Sequence, residues 1–223
     1  MHARHKPVSE SRHRWLEVSS LIAFAVVAVH VLFQLVRPID SPWQLPGLCV
    51  SLLVGYFLAD LISGLAHWAG DSLGNEQTPV FGKTFIQPFR HHHVDPTDIT
   101  RHDFVETNGN NSIIALPLLL LTAWVMPENV GWLYHACVAS TAIALLACFT
   151  NQIHKWAHLT AVPRSVLWLQ RWRVLLSPEH HRAHHHPPHD RHYCITTGWM
   201  DAPMARFKVI EALQRLVGRK RGV

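Results

Sequence analysis

The residues in this chain that could do chemistry are histidines, and several of them stand four positions apart. They form three pairs, His154/His158, His180/His184 and His181/His185. On a helix, residues four apart project from one face, with one side chain above the other. Such a pair can chelate a metal ion, whereas a lone histidine is more often a surface or core residue with an ordinary polar role. Three pairs at this interval therefore predict metal binding.

The histidines are also too numerous for one metal ion. Residues 178–199 alone hold seven histidines, whereas a catalytic zinc ion commonly takes three imidazoles and a water molecule. The number of paired and clustered imidazoles therefore suggests two metal ions. Imidazole binds zinc, copper and iron alike, so the ligand type leaves the choice of metal open.

Long apolar segments must position these histidines. The chain of 223 residues is 48% hydrophobic and only 16% charged, and about 20 apolar residues in a helix cross the roughly 30 Å hydrocarbon layer of a membrane. A cleaved signal peptide is an alternative for the first segment, residues 15–36, but the residues that follow it offer no small-residue cleavage site. The third segment, residues 112–126, is short for a span, and a turn joins it to the fourth. The predicted transmembrane spans are residues 15–36, 45–68, 112–126 and 131–151.

Lysine and arginine residues near the span ends predict the orientation, because cytoplasmic loops carry an excess of both. They occur in the arm of residues 1–14, between the second and third spans and after the fourth span, whereas the outer loops hold only Arg37. Both termini and the central loop are therefore expected in the cytoplasm, at a bacterial inner membrane or the endoplasmic reticulum of a eukaryote. This topology gathers the paired histidines at one membrane face.

These features predict an all-α, multi-pass membrane protein with about four transmembrane helices and a histidine-rich cytoplasmic cap. The chain is expected to form a single domain, residues 1–223, which begins with the basic arm of residues 1–14 and ends with the cap, residues 152–223. A helix in the membrane interface is expected at residues 162–176. Apolar residues at helical spacing predict a C-terminal amphipathic helix. They are Met204, Phe207, Ile210, Leu213 and Val217.

The surroundings of the histidines favour iron over other metals. A metal site at the mouth of an apolar bundle is placed to receive a lipid tail. Cutting an unactivated C–H bond there requires oxygen activated at iron rather than a Lewis acid. Soluble di-iron proteins use Glu and Glu-x-x-His motifs on four helices, so this chain would do comparable work mainly with imidazoles.

Carboxylates stand close to the histidines in the second span. Asp60, His67 and Asp71 are seven and four residues apart, close to one helical stripe. An ionisable residue inside a span is costly and indicates function, so Asp60 is predicted to orient a ligand imidazole through its free N–H. The alternative is a carboxylate that pairs with a basic group at the membrane edge. Asp71, Asp103 and Glu106 are further candidate orienting groups.

Three segments resemble the signature sequences of one enzyme family. They are FRHHHVDPTDITRHDFVETNGNN at residues 89–111, NQIHKWAH at 151–158 and SPEHHRAHHHPPHDRHYCITTGW at 177–199. These segments are similar to those of the plasmanylethanolamine desaturases, the Kua-type membrane lipid desaturases, and the resemblance runs from about residue 60 to residue 199. It implies a multi-pass membrane enzyme that forms the 1′ vinyl ether double bond of plasmalogens in the alkyl chain of plasmanyl phospholipids. It also implies a di-iron centre, molecular oxygen, and electrons from NAD(P)H through an external carrier such as cytochrome b5 or a ferredoxin.

The resemblance also assigns roles to individual histidines. His91, His186 and His192 depart from the family pattern and are expected to be bystanders. The two histidine boxes correspond to HKWAH and HHRAH, which makes six residues the expected catalytic ligands: His154, His158, His180, His181, His184 and His185. The family pattern adds five metal ligands: His67, His92, His93, His102 and His189.

Two other functions stay open on the sequence alone. A fatty-acyl desaturase or hydroxylase could use the same metal centre, because desaturation and hydroxylation diverge only after the first hydrogen abstraction. A non-enzymatic metal-handling or transport protein is disfavoured, since transporters place ionisable residues near the bilayer midplane. No basic groove lined with aromatic residues is present, so nucleic acid is not an expected partner.

Overall fold

The computed structural model describes residues 8–218, with side chains from residue 12 onward, and these residues contain helices and no strands. Residues 1–7 of the predicted basic arm and the last five residues of the predicted cap lie outside the described residues. Four helices are long: α1 (Val8–Val36), α2 (Leu45–Ser72), α4 (Phe104–Val125) and α5 (Trp132–His158). The short helices are α3 (Gln87–Val94), α6 (Arg164–Arg171), α7 (Pro178–His184), α8 (Asp201–Arg206) and α9 (Val209–Leu216).

Three of the long helices have the length and composition needed to cross a membrane. They are the segments Arg12–Val36, Pro42–Ser72 and Trp132–His158, which confirms long apolar helices at the first, second and fourth predicted spans. Among the described residues, α4 does not meet the same criterion. Its first two turns carry a glutamate and three asparagines, so their polarity offsets the apolar second half. The third span stays a prediction.

Two helices extend beyond the apolar runs that predicted them. α2 continues to Ser72 and α5 to His158, whereas the predicted spans end at residues 68 and 151. Gly74, two residues after α2, takes a left-handed φ of 57°, a conformation typical of the residue that follows a helix. Because both helices continue, Asp71, His154 and His158 project from helical turns rather than from loops. His67 lies inside the predicted second span and is also helical.

The chain divides into two compact units, each built from two segments. The first comprises the chain up to Tyr56 together with residues 102–152. Here α1 packs along α4, where the Ser20 and Ser112 hydroxyls lie 2.6 Å apart. The Tyr134 hydroxyl donates to the Leu35 carbonyl oxygen, one of the last four carbonyls of α1, which lack a partner within the helix. This hydrogen bond ties the end of α1 to α5. The prediction of a single domain, residues 1–223, stays a prediction.

The second unit comprises residues 57–101 and 153–223, and a carboxylate in α2 anchors its C-terminal part. Asp60 is fully buried. Its Oδ1 accepts from the backbone N–H groups of Thr197 (2.7 Å) and Gly198 (3.1 Å), and its Oδ2 accepts from Met200 N (2.9 Å). Asp60 therefore holds a loop against α2 through charge-assisted hydrogen bonds. The prediction that it orients an imidazole is wrong.

Close packing supports the same anchoring. A Cβ added at Gly64, one turn after Asp60, would lie 2.5 Å from Cys194 Sγ, so the loop approaches α2 as closely as glycine permits. The N–H of Ile195 donates to Ser63 Oγ at 3.1 Å. The residues that carry Tyr193 and Cys194 are consequently fixed beside the end of α2.

The predicted cap helices are shorter than their apolar patterns. The interfacial segment is helical only over Arg164–Arg171. The predicted C-terminal helix is two helices, α8 and α9, separated at Lys208, whose φ is 51°. Met204 and Ile210 on these helices are buried, whereas Phe207 and Val217 are exposed, so only part of the apolar stripe packs against the protein.

Candidate metal centre

Nine potential ligands form two groups in the second unit, and within each group the ligand atoms lie within 4.8 Å of one another. The five-histidine cluster consists of His92, His154, His158, His181 and His185. The Asp71 cluster consists of His67, Asp71, His93 and His184. The two clusters adjoin, because the His184 and His185 ring centroids are 5.6 Å apart and those of His181 and His184 are 5.9 Å apart.

Local helix structure explains how neighbours in sequence reach different clusters. α7 begins at Pro178, and Ser177 caps it by accepting from His180 N at 3.2 Å. Successive helical residues are rotated by about 100°, so His184 faces one cluster while His181 and His185, four residues apart, face the other. In α3, His92 and His93 separate in the same way.

The five-histidine cluster brings nitrogen atoms unusually close together. Nε2 of His181 lies 2.7 Å from His154 Nε2 and 3.0 Å from His185 Nε2, and His154 Nε2 lies 3.3 Å from His158 Nε2. A neutral imidazole has one N–H, so hydrogen bonding alone cannot satisfy every nitrogen in this group. The buried Nε2 of His92 makes no hydrogen bond at all. Convergent nitrogen lone pairs of this kind fit a bound cation.

Burial keeps the loop and cap imidazoles of this cluster neutral. Desolvation, assisted by neighbouring histidines, lowers the pKa of His92 and of His181 well below the usual value. The same effects lower the pKa of His185 to about 3. Because a metal ligand must present a lone pair rather than a proton, these imidazoles are ready to coordinate at neutral pH.

Backbone carbonyls fix the proton positions in the Asp71 cluster. Nδ1 of His67 lies 3.1 Å from the Tyr193 carbonyl oxygen, and Nδ1 of His184 lies 2.8 Å from the Arg191 carbonyl oxygen. A carbonyl only accepts, so both Nδ1 atoms must donate, and in the neutral form that metal binding requires, both Nε2 atoms carry the lone pairs. This is the usual way in which a protein orients a metal-binding imidazole.

Those lone pairs face a buried carboxylate. Asp71 Oδ2 lies 3.5 Å from His67 Nε2, 3.5 Å from His184 Nε2 and 3.0 Å from His93 Nε2. Neither His67 Nε2 nor His184 Nε2 makes a hydrogen bond, and both Asp71 oxygens also lack one. A lone pair directed at an anion is repulsive, and a cation among them turns the repulsion into attraction. The donor set therefore fits a metal ion, and Asp71, predicted as an orienting group, stands where a ligand would.

Other predicted site residues lie outside these two clusters. His189 Nδ1 donates to the His184 carbonyl oxygen at 3.0 Å, and its ring centroid is 4.5 Å from that of His93, so His189 borders the Asp71 cluster. His180 belongs to a third group with His192 and Asp201. The predicted chelating pair His180/His184 is therefore divided between two groups.

Three predicted residues belong to the first unit. Asp103 caps α4 by accepting from Val105 N and Glu106 N, and the Arg14 guanidinium donates to its carboxylate. Asp103 therefore has a structural role, and its role in orienting a ligand stays a prediction. His102 Nε2 lies 3.8 Å from Glu106 Oε1. The roles of His102 as ligand and Glu106 as its orienting group stay predictions.

Sequence reasoning missed the groups that come from irregular backbone. The Tyr193 and Arg191 carbonyls orient two ligands, and no side-chain pattern marks a carbonyl. Asp201 also went unrecognised, because it follows the histidine box by many residues without a periodic relation to it. His192 was interpreted as a bystander, yet its Nδ1 lies 3.2 Å from His180 Nε2.

Long apolar helices and a buried group of histidines with a carboxylate, which could hold metal ions, are features expected of a membrane-associated oxidoreductase. Residues 56–223 match the model of the lipid desaturase domain, and the chain belongs to this family. It is 40% identical to plasmanylethanolamine desaturase of Myxococcus xanthus over 205 residues, which cover 92% of this chain and 72% of the relative. It is 39% identical to plasmanylethanolamine desaturase 1 of Mus musculus over 212 residues, 91% of this chain and 77% of the relative.

A plant relative carries a different name. The chain is 38% identical to chloroplastic fatty acid desaturase 4 of Arabidopsis thaliana over 174 residues, which cover 76% of this chain and 51% of the relative. No solved structure matches the chain. The family membership confirms the resemblance seen in the histidine boxes and identifies the protein as an enzyme of the desaturase type.

Proposed function

We propose that the chain desaturates the alkyl ether chain of plasmanyl phospholipids and forms the 1′ vinyl ether of plasmalogens, with one iron ion in each cluster. The observation that carries this proposal is the pair of adjoining donor groups in one unit, one with five imidazoles and one with three imidazoles and a carboxylate. The names of the Myxococcus and mouse relatives support the ether-lipid substrate.

Bound iron would supply the oxygen-dependent oxidation that an unactivated C–H bond requires. Removal of one hydrogen from each of two adjacent chain carbons creates the double bond. Together with two electrons and two protons from outside, those two hydrogens reduce O₂ to two molecules of water. The reaction therefore requires an electron donor, for which we propose NAD(P)H acting through cytochrome b5 or a ferredoxin.

The chain's own residues prepare the site for this reaction. The Tyr193 and Arg191 carbonyls hold His67 and His184 with their Nε2 lone pairs directed at the centre. Asp71 supplies an anionic charge to one cluster, whereas the other is built from neutral imidazoles. His67, His181 and His184 are almost completely buried, so the ligands are kept from bulk water, in which a reactive oxidant would be lost to side reactions.

The proposed topology places this centre at the cytoplasmic face. Four crossings, with α4 as the third, would return both termini to the side that carries most of the lysine and arginine residues. A centre at this position can meet a soluble or membrane-bound electron carrier while the lipid chain enters from the bilayer. Attachment of a reporter to each terminus and to the loop near residue 128 would test the orientation.

A fatty-acyl desaturase is the second candidate, and the similarity to fatty acid desaturase 4 of Arabidopsis favours it. The same metal centre would then remove hydrogens from an ester-linked acyl chain rather than from an ether-linked alkyl chain. The two reactions have the same redox balance, so only the lipid product distinguishes them.

Lipid mass spectrometry tests the proposal. Cells that lack plasmalogens are fed an alkylglycerol and express the wild type, the His154→Ala variant or the His186→Ala variant, in which an exposed histidine outside both clusters is removed. We expect acid-labile vinyl ether lipids with the wild type and with His186→Ala, and none with His154→Ala. New double bonds in acyl chains without vinyl ether would support the second candidate. Vinyl ether formation by His154→Ala at the wild-type level would contradict both.

A further inference from the structure

A third group of potential ligands lies apart from the two clusters. It joins His180 of α7, His192 of the following segment and Asp201 at the start of α8. His180 Nε2 lies 2.7 Å from Asp201 Oδ2, His192 Nδ1 lies 3.2 Å from His180 Nε2, and His192 Nδ1 lies 3.9 Å from Asp201 Oδ2. None of these three residues belongs to the five-histidine cluster or to the Asp71 cluster.

The surrounding backbone holds two of the three donors, Asp201 and His180, in place. Asp201 is buried, and its Oδ1 accepts from Cys194 N at 3.1 Å, which leaves Oδ2 to face the histidines. A Cβ added at Gly198 would lie 2.5 Å from the His180 ring, and Gly198 has a φ of 83°, so glycine is required for His180 to reach Asp201. These are features of a fixed donor arrangement rather than of mobile surface side chains.

One proton on His180 cannot serve both of its close contacts well. If His180 Nε2 carries the proton and donates to Asp201 Oδ2, it cannot also accept from an N–H of His192. If His180 Nε2 instead accepts from His192, it presents a lone pair to the carboxylate. A single cation among the three atoms satisfies all of them. Tetrahedral zinc with ligand bonds of 2.0–2.1 Å has ligand-to-ligand distances of about 3.3 Å, which falls within the spread of 2.7 to 3.9 Å found here.

We propose that His180, His192 and Asp201 bind one zinc ion, separate from the two clusters. Two imidazoles and a carboxylate without a thiolate are a recognised zinc donor set, and a water molecule completes it. The three residues line a cavity of about 650 Å³, which gives the ion and its water a route to the site. The zinc ion would join α7 to α8 and so brace the segment that supplies the Tyr193 and Arg191 carbonyls.

A fourth group does not compete for this assignment. His91, Asp95 and Asp98 also lie close together, but the Arg101 guanidinium donates to both carboxylates. A cation already neutralises that group. A zinc ion that binds to the iron-loaded protein is therefore attributed to the site of His180, His192 and Asp201.

Metal analysis of the iron-loaded protein tests this proposal. Wild type, His192→Asn and His186→Asn are purified in detergent, loaded with iron and dialysed against zinc buffered at about 1 µM free ion, well above the dissociation constants of structural zinc sites. Asparagine tolerates the left-handed φ of 59° at residue 192 while removing the imidazole. His186→Asn is the matched control, because His186 is exposed and belongs to none of the groups.

We expect about one zinc ion per chain in the wild type and in His186→Asn, a loss of that zinc ion in His192→Asn, and equal iron contents in all three. The iron content reports that the variant is folded. X-ray absorption spectroscopy at the zinc K edge of the wild type should show two imidazole ligands and oxygen ligands. Equal zinc in His192→Asn and the wild type, no zinc in the wild type, or a zinc ion with more than two imidazoles would overturn the proposal.

Discussion

Replacement of Asp60 by asparagine tests how the second unit is anchored. The asparagine oxygen can still accept from Thr197 N and Gly198 N, but its amide group faces the N–H of Met200, which then loses its acceptor. A buried donor left without a partner costs about 1–3 kcal/mol, and two charge-assisted bonds that become neutral lose roughly 1 kcal/mol each. We therefore expect a loss of about 3–5 kcal/mol in the free energy of unfolding.

Thermal unfolding in detergent measures this loss. For a chain of about this size, 1 kcal/mol corresponds to roughly 2–4 °C, so the Asp60→Asn variant should unfold about 6–20 °C below the wild type. Asp190→Asn, which changes an exposed carboxylate, is the matched control and should unfold with the wild type. Well below its transition, Asp60→Asn should retain its iron, because Asp60 touches no ligand directly. An unchanged transition, or loss of iron from the folded variant, would refute the anchoring role.

Three further substitutions have expected outcomes. Asp71→Asn should reduce the iron content from two ions to about one and abolish desaturation, since the amide removes the anionic ligand; retention of both ions would contradict its placement. Gly64→Ala should lower the unfolding temperature, because the new Cβ meets Cys194 and overpacking costs about 1–3 kcal/mol. Gly131→Ala is the control and should leave the unfolding temperature unchanged, because its Cβ would meet nothing within 4 Å. Tyr134→Phe should cost about 1–2 kcal/mol by leaving a carbonyl at the end of α1 without its donor, as seen in thermal unfolding; no shift would contradict that hydrogen bond.

Helical periodicity predicted the parts of the site that depend on local geometry. The four-residue spacing correctly paired His154 with His158 and His181 with His185, because one helix turn fixes which side chains share a face. The same spacing wrongly paired His180 with His184. Spacing predicts which side chains share a face of a helix, but not which residues they contact. The absence of a side chain at Gly198 lets the His180 ring reach Asp201 instead of His184.

The sequence pattern could not predict the different roles of the two carboxylates. Asp60 and Asp71 are both acidic residues in the second half of α2, and their position close to one helical stripe suggested the same orienting task. The structure separates them, because the partners of Asp60 are backbone N–H groups more than 130 residues later, whereas Asp71 faces three imidazoles. Only the folded path of the segment between residues 191 and 200 decides this, and no periodic pattern encodes that path.

Hydropathy predicted the long helices better than their ends. The apolar runs located α1, α2 and α5, and the second run includes His67, but they ended before the turns that carry Asp71, His154 and His158. Helical hydrogen bonding continues through those turns whatever their polarity. The ligands therefore gain the rigidity of helices, which suits a site whose donor atoms must stay within a few tenths of an ångström.

Mössbauer spectroscopy of the purified protein loaded with ⁵⁷Fe tests whether each of the two clusters binds one iron ion. The two clusters differ in their donors, with five imidazoles in one and three imidazoles and a carboxylate in the other. We predict two iron ions per chain with two distinct spectra of equal intensity, and the loss of one spectrum in Asp71→Asn. A single iron ion per chain, or one spectrum that is unaffected by Asp71→Asn, would contradict a two-iron centre built from these residues.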